Sequence, residues 1–386
     1  GGRGNGYSLR VGGREAAIAH LTPLRKSLAP GADKGWGHVG PCGAGHDVPN
    51  PLLKTATKIA GVVPDMLHPI ERTYTEWYWS DFRDEQSCQD CHEPMQFQGA
   101  QTWMIHPVLA SLWGEVDRPW REAPYDYAVP ERAPLSRDAA EPNRAFMGSH
   151  WADVGILEIP GSPKAGDAVA LKVKVTNKTG HKLPTGFSEG RQAWIHVKAV
   201  DEAGAVLFED GALDANGFLV RTPETKVYEQ VALAGRPELR EKEGRTCYAG
   251  YPFLDENADG CVDEHESHFH FVLMNYIKKD NRIPPKGYNK AAYTKDGAFI
   301  VPFDPKDSDY ADGQNWDITP YGFSIPPDAK GRVRVTATLS YQTLSRQYAE
   351  FLHENDNRTT SKHGVSAPTA PPGPLDKPGT RATASA

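Results

Sequence analysis

The stretch Gly331-Arg332-Val333-Arg334-Val335-Thr336-Ala337-Thr338-Leu339-Ser340-Tyr341 carries the plainest structural signal in the chain. Val333, Val335, Ala337 and Leu339 alternate with polar residues, which puts them on one face of a half-buried strand. Two upstream stretches repeat the pattern. In Ala168–Thr176, Leu171, Val173 and Val175 alternate with Lys172, Lys174 and Thr176, and Gln192–Val200 reads QAWIHVKAV. Ala205–Phe208, His268–Leu273 and Gly297–Val301 are weaker candidates. Strands separated by turn signals, with no helical pattern between them, predict an antiparallel β-sandwich over residues 161–353. His196 falls on the polar face of its strand with Lys198 and reads as a surface residue.

Outward from this segment the character changes. The chain has 386 residues, enough for more than one domain, and its 37 glycines and 32 prolines argue for turns and loops over a helical bundle. The net charge of −7 excludes sequence-independent nucleic-acid binding, which needs clustered Lys and Arg. No apolar run approaches the length of a membrane-spanning helix. Residues 1–50 hold 12 glycines and little periodicity, a composition that forms loops able to wrap a large flat cofactor. Residues 51–80 read as partly helical, with Asn50-Pro51 as a start signal. Residues 93–160 are irregular and Pro-rich, with Trp103, Trp113, Trp120 and Trp151. The fold class predicted is therefore α+β and mostly irregular: a loop-rich cofactor domain with short helices over 1–160, then the β-sandwich domain over 161–353. Residues 354–386, rich in Pro, Ser, Thr and Ala, form a tail expected to be flexible or to lie along a partner.

The cofactor is indicated by Cys88-Gln89-Asp90-Cys91-His92, a C-x-x-C-H sequence. Two thiols at this spacing can add to the two vinyl groups of one haem, and the following His92 ligates the iron. A zinc site would want a second ligand pair at short spacing, which Cys247 and Cys261 do not supply. A thioredoxin-type dithiol would follow a strand in a βαβ unit, and the Trp- and Tyr-rich flank does not read that way. Cys42-Gly43-Ala44-Gly45-His46 has the same frame with Gly45 in place of the second Cys. It is either a single-thioether site on Cys42 and His46, a site that has lost its haem, or a Gly-rich loop with a Cys and a His in it.

A second motif lies in the β-rich part. Asp255-Glu256-Asn257-Ala258-Asp259-Gly260-Cys261-Val262-Asp263-Glu264-His265-Glu266 fits D-x-[DN]-x-[DN]-G-x5-E. Asp255, Asn257, Asp259, Asp263 and Glu266 offer side-chain oxygens, Cys261 a carbonyl, and Gly260 the sharp turn of a Ca²⁺ loop. The preceding Tyr251-Pro252-Phe253-Leu254 is not helical, so the loop is a lone one, pinning an insertion around 245–290; an acidic surface turn is the alternative. Cys247 and Cys261 flank it and are either bridged or two thiols.

Several strings then acquire meaning together: Pro49-Asn50-Pro51, Glu71-Arg72-Thr73-Tyr74-Thr75-Glu76-Trp77, Thr176-Asn177-Lys178-Thr179-Gly180-His181-Lys182-Leu183-Pro184-Thr185-Gly186, Asp280-Asn281-Arg282-Ile283-Pro284-Pro285 and Leu339-Ser340-Tyr341-Gln342. With the haem motif, they resemble exported bacterial multihaem c-type cytochromes that carry a C-terminal β-rich domain. The resemblance covers most of residues 40–352. It implies electron transfer in the periplasm or outside the cell, usually through irons ligated by two histidines. One intact and one degenerate motif depart from the several that the family carries, and Arg144 stands where that family has a distal histidine. His68, His106, His150 and His181 are the candidate distal ligands, with Met66, Met95, Met104 and Met147 as softer ones.

The leading expectation is an electron carrier with haem c and Ca²⁺, serving redox partner proteins such as other cytochromes. Association with a membrane complex or filament through the C-terminal tail belongs to the same reading. A haem enzyme, a peroxidase or oxyanion reductase with an open axial site, is the first alternative and is less favoured. A structural or docking subunit derived from a multihaem cytochrome is the second.

Overall fold

The computed structural model describes residues 9–11, 36–38, 47–86, 88, 151–215, 217–240, 244–342, 344–354 and 380–385. Short strands β1 (Leu9–Val11) and β2 (Trp36–His38) pair in parallel, and β3 (Asp47–Lys54) and β4 (Leu67–Arg72) pair antiparallel. Helices α1 (Thr73–Tyr78) and α2 (Phe82–Glu85) follow. Strands β5 (Ala152–Leu157), β6 (Ala168–Asn177), β7 (Gln192–Val200), β8 (Val206–Asp210) and β9 (Val227–Ala234) come next, then the hairpin β10 (Arg236–Arg240) and β11 (Arg245–Ala249). The rest are α3 (Glu264–Ser267), β12 (Met274–Asp280), α4 (Lys290–Lys295), β13 (Trp316–Ser324), β14 (Arg334–Gln342), α5 (Arg346–Glu354) and β15 (Thr380–Ser385).

Two sheets share the principal core. One has three strands in the order β13-β6-β5; the other has six, β12-β9-β7-β14-β15, with β8 also on β7. Strand β7 pairs along its length with β14, while β9 takes its first residues and β8 its last on the opposite edge. Leu171, Val173 and Val175 of β6, Ile195 and Val197 of β7, and Leu339 of β14 belong to one buried cluster. The period-2 reading of these three segments therefore holds, and burial of apolar side chains between sheets is what aligns them. His196 lies on the other face, its Nε2 2.9 Å from Glu209.

The expected fold class, α+β and mostly irregular with a loop-rich haem domain of short helices, is overturned. The described residues are mostly β, in several antiparallel sheets with a few short helices, and no distinct helical haem domain is present among them. The reading of 51–80 as partly helical fails at its start. Asn50 does accept hydrogen bonds from the Leu52 and Leu53 amides, as a cap would, but its amide group also donates to the Val272 and Met274 carbonyls. That fastens the segment as a strand, and the β3–β4 register shifts around Pro49, where the ladder lacks a donor. Strand β5 lies before residue 161 and pairs with β6 beyond it.

Two weaker strand candidates also change. In His268–Leu273 only His268 pairs, as a single bridge to Leu233; a turn follows with Phe269 at φ 64°, and the strand begins at Met274. Gly297–Val301 contributes a single bridge, Val301 to Asp280. Within the tail, residues 380–385 add β15 to the edge of β14.

Candidate functional site

Helix α1 leads towards Cys88, and at six residues it has little stability of its own. Side chains from elsewhere hold it. Asp47 accepts from the Thr75 amide at 3.2 Å and from its hydroxyl at 2.5 Å, and Tyr293 donates to the Glu76 carbonyl at 2.6 Å. Trp79 donates its indole N–H to Asp296 at 2.7 Å. Trp77 donates to the Gln86 carbonyl at 2.9 Å, closing the α1–α2 turn just ahead of Cys88, which is itself half-buried.

Beneath this turn lies a buried charge knot. Glu76 is fully buried and accepts from the Lys182 backbone amide at 3.0 Å and the Thr185 hydroxyl at 2.7 Å. Arg282 Nη2 lies 3.3 Å from Glu76 and 2.6 Å from Asp280, and Arg282 Nη1 donates to the Pro184 carbonyl at 3.1 Å. Lys182 Nζ reaches Asp280 and the Phe299 carbonyl, both at 2.9 Å. Two buried carboxylates thus meet two buried cations; Glu76 Oε1 faces the Arg282 guanidinium at 3.3 Å without a hydrogen bond of full geometry, so its charge is paired but that oxygen is not fully satisfied. Burial alone would raise the Asp280 carboxyl, but Arg282 and Lys182 overcome it and hold it below the usual carboxylate range. Arg282 is raised in turn by Asp280 and Glu76 against the effect of its own burial.

The loop that closes the knot is shaped by Asn177, whose amide group donates to the His181 carbonyl at 2.7 Å and the Ile283 carbonyl at 2.9 Å. Gly180 passes so close to α1 and α2 that a Cβ there would lie 3.0 Å from Trp77 and 3.2 Å from Phe82. His181 Nδ1 lies 3.1 Å from the Lys182 carbonyl. Burial lowers the His181 imidazole, with that carbonyl opposing the shift.

Of the predicted haem residues, Cys88 is at the end of this platform; Cys91, His92, Cys42, His46, His106 and His150 lie outside the described residues, as do Arg144, Met95, Met104 and Met147. His68 is fully buried in β4, and its Nδ1 has no hydrogen-bond partner. Burial and, secondarily, Arg72 push its imidazole down to about 3. Sequence reasoning missed Glu76, Lys182, Asp280 and Arg282 as a unit. The signal was available: each lies in one of three strings that resemble the cytochrome family, and the fold brings those strings together.

The acidic loop is bent as its motif requires, with Ala258 at φ 56° and Gly260 at φ 81°. Its oxygens face inward onto backbone amides: Asp255 accepts from Gly260 at 2.7 Å, Asn257 from Asp259 at 2.9 Å, and Glu266 from Glu256 at 3.0 Å and Asp263 at 2.7 Å. Arg245 lies 2.7 Å from Asp259 and 3.3 Å from Asp263. Among the described residues no three His, Cys, Asp or Glu side chains converge as a metal-holding group. Cys247 and Cys261 are bridged, with Cα atoms 5.2 Å apart, which decides between the two readings of that pair.

No family model matches the chain, and no curated protein does. Two solved structures have some likeness to it. The penta-heme cytochrome c552 from Thermochromatium tepidum has a TM-score of 0.38 and 13% identity, over 92% of this chain and 65% of that one. The sporulation control protein Spo0M from Bacillus subtilis has a TM-score of 0.15 and 11% identity, over 50% of this chain and 42% of that one. Neither likeness is close enough to fix a shared fold, and the chain spans 65% of the cytochrome's length.

Proposed function

We propose that this chain carries one haem c on Cys88, Cys91 and His92 and works as an exported electron carrier within a larger redox assembly. The observation that carries the reading is the C-x-x-C-H sequence, whose first cysteine follows a helical turn anchored on a buried charge knot. A covalently attached haem, ligated by side chains of this chain alone, would supply one-electron transfer and no substrate site. Cys88 and Cys91 would hold it by thioethers, and His92 would ligate its iron. We assign the distal position to His181. Its Nδ1 at a backbone carbonyl is the orientation that metal-ligating histidines use. Its neighbour Gly180 packs on the two helices that precede Cys88.

Attachment of haem c and the Cys247–Cys261 disulfide both belong to oxidising compartments, which supports a periplasmic or extracellular setting. The partners are redox proteins, and β15 on the β14 edge is where the tail meets the sheet. At the degenerate motif, Gly45 removes one thiol and loosens the backbone ahead of His46, so we infer no second haem there. Intact mass after expression with a c-haem maturation system tests the count: one haem is expected, and none, or two, overturns it. The ferric spectrum is expected to be low-spin and to become high-spin in His181→Ala. A high-spin wild type that responds to cyanide or peroxide would replace this reading with the enzyme one.

Calcium at Asp255, Asn257, Asp259, Asp263 and Glu266 is part of the same proposal. It is supported by the order of the donors and the two left-handed residues; it requires Arg245 to leave Asp259 and Asp263.

A further inference from the structure

Glu189 sits in the 3-10 turn Ser188–Gly190, just beyond the loop that closes the charge knot. Its side chain is 2% exposed, and neither carboxylate oxygen receives a hydrogen bond of full geometry. A carboxylate so placed loses its hydration without replacement, so the neutral acid is favoured. The surroundings are aromatic. Tyr348 of α5 lies against the Gly190 backbone, where a Cβ would be 2.6 Å from its ring, and Phe187 packs on both Tyr348 and Phe271. His268, stacked on Phe269 at 3.8 Å, brings Nε2 to 3.4 Å from Glu189 and is 23% exposed, so it stands between the carboxyl and water.

The groups facing Glu189 come from four elements. They are His268 on the turn before β12, Arg282 after β12, Tyr348 on α5, and the Ala232 amide of β9. Arg282 is the guanidinium that also contacts Glu76 and Asp280. A charge appearing on Glu189 is therefore felt by the knot that holds the 179–186 loop and α1.

We propose that Glu189 is a proton-binding site coupled to electron transfer in this chain. The proposal rests on the haem reading above. When a redox partner donates one electron to the chain, one proton from water binds a Glu189 oxygen; when the electron leaves, that proton returns to water. No other bond changes, and the buried charge is balanced at each step. Burial raises the Glu189 carboxyl to about 7, with His268 opposing, so the site is poised near neutral pH. A carboxylate at Glu189 favours the oxidised state, so the potential falls as pH rises through its titration.

The test uses the full chain and two readouts. In pH-dependent infrared difference spectra of the ferric protein, a carboxylic-acid C=O band is expected to vanish as pH rises through neutrality, and to be absent from Glu189→Gln. Redox titration is expected to give a midpoint potential that falls over the same pH interval in the wild type and is flat there in E189Q. His268→Phe, which removes the ring that favours the carboxylate, is expected to move the infrared titration to higher pH and serves if E189Q does not fold. Identical pH–potential curves for wild type and E189Q overturn the coupling, and a missing titratable band overturns the proton site. If mass spectrometry finds no haem while the band titrates, the haem reading and the coupling fail but the proton site stands.

Discussion

The Glu76 carboxylate accepts a hydrogen bond from the Lys182 backbone amide at 3.0 Å across 106 positions of sequence. With Arg282 on its other oxygen at 3.3 Å, Glu76 ties α1 to two remote segments at once. The first of the two helices that precede Cys88 is thus fastened by a buried charge and not by its own propensity. Glu76→Ala leaves Arg282 short of one counter-charge and the Lys182 amide without its acceptor. A loss of about 3–5 kcal/mol is expected, the range for breaking a buried ion pair from one side. Glu76→Gln, which keeps an acceptor, is expected to lose less. Equilibrium denaturation of the two variants measures both, and equal stability of wild type and E76A would refute the role.

A second prediction concerns the bridge between Cys247 and Cys261, which are 14 positions apart. A loop of this size restricts the unfolded chain by about 3 kcal/mol in the chain-entropy model. The bridge also closes over a satellite core in which Tyr248, Leu254 and Val262 are buried. Reduction, or the double change Cys247→Ala with Cys261→Ala, is expected to lower the denaturation midpoint by a corresponding amount. Denaturant titration with and without reductant checks it; coincident curves would exclude the effect.

His68 sets a pH dependence of opposite hand to that of Glu189. Its folded-state imidazole is pushed down to about 3 from 6.5, first by burial and then by Arg72. The unfolded chain therefore binds the proton more readily than the folded one. The contribution is intact above the unfolded value and is lost as pH falls towards the folded one. Between pH 7 and pH 4 this amounts to about 3 kcal/mol from this residue alone. His68→Gln is expected to flatten stability over that interval, and an unchanged pH slope would count against it.

Local pattern reached some of this and stopped where contacts became remote. The alternation in 168–176, 192–200 and 331–341 is a property of each strand and its buried face, so it could be read directly. Asn50-Pro51 could not, because its outcome depends on the Val272 and Met274 carbonyls far along the chain. Strand β12 was hidden by Lys278, Lys279 and Asp280, charges that do not look like a strand interior; only the fold reveals that Asp280 is buried against Lys182 and Arg282. The proposal for Cys88 and Cys91 rests on their spacing alone, which thioether attachment to one haem would itself require. Glu189 gave no signal, since its behaviour comes from the aromatic side chains around it.

The last prediction concerns the acidic loop. Arg245 holds the Asp259 carboxyl below the usual carboxylate range through a direct hydrogen bond, so the guanidinium already neutralises part of the charge that a cation would bind. Calcium must displace it from Asp259 and Asp263, and must draw Glu266 away from the Glu256 and Asp263 amides. Binding to the folded state alone stabilises by mass action, about 2.7 kcal/mol at a hundredfold excess over the dissociation constant. Added Ca²⁺ is expected to raise the melting temperature of the wild type. Arg245→Ala, which removes the competing cation, is expected to bind Ca²⁺ more tightly in calorimetric titration and to show a larger rise. Magnesium is expected to do neither, since it demands a tight octahedral shell and gives up its waters reluctantly, which an all-protein oxygen loop suits less well than it suits the larger ion. Melts unchanged by excess Ca²⁺ in both proteins, with no calcium found by elemental analysis, would leave the segment a disulfide-pinned turn whose charge is met by Arg245.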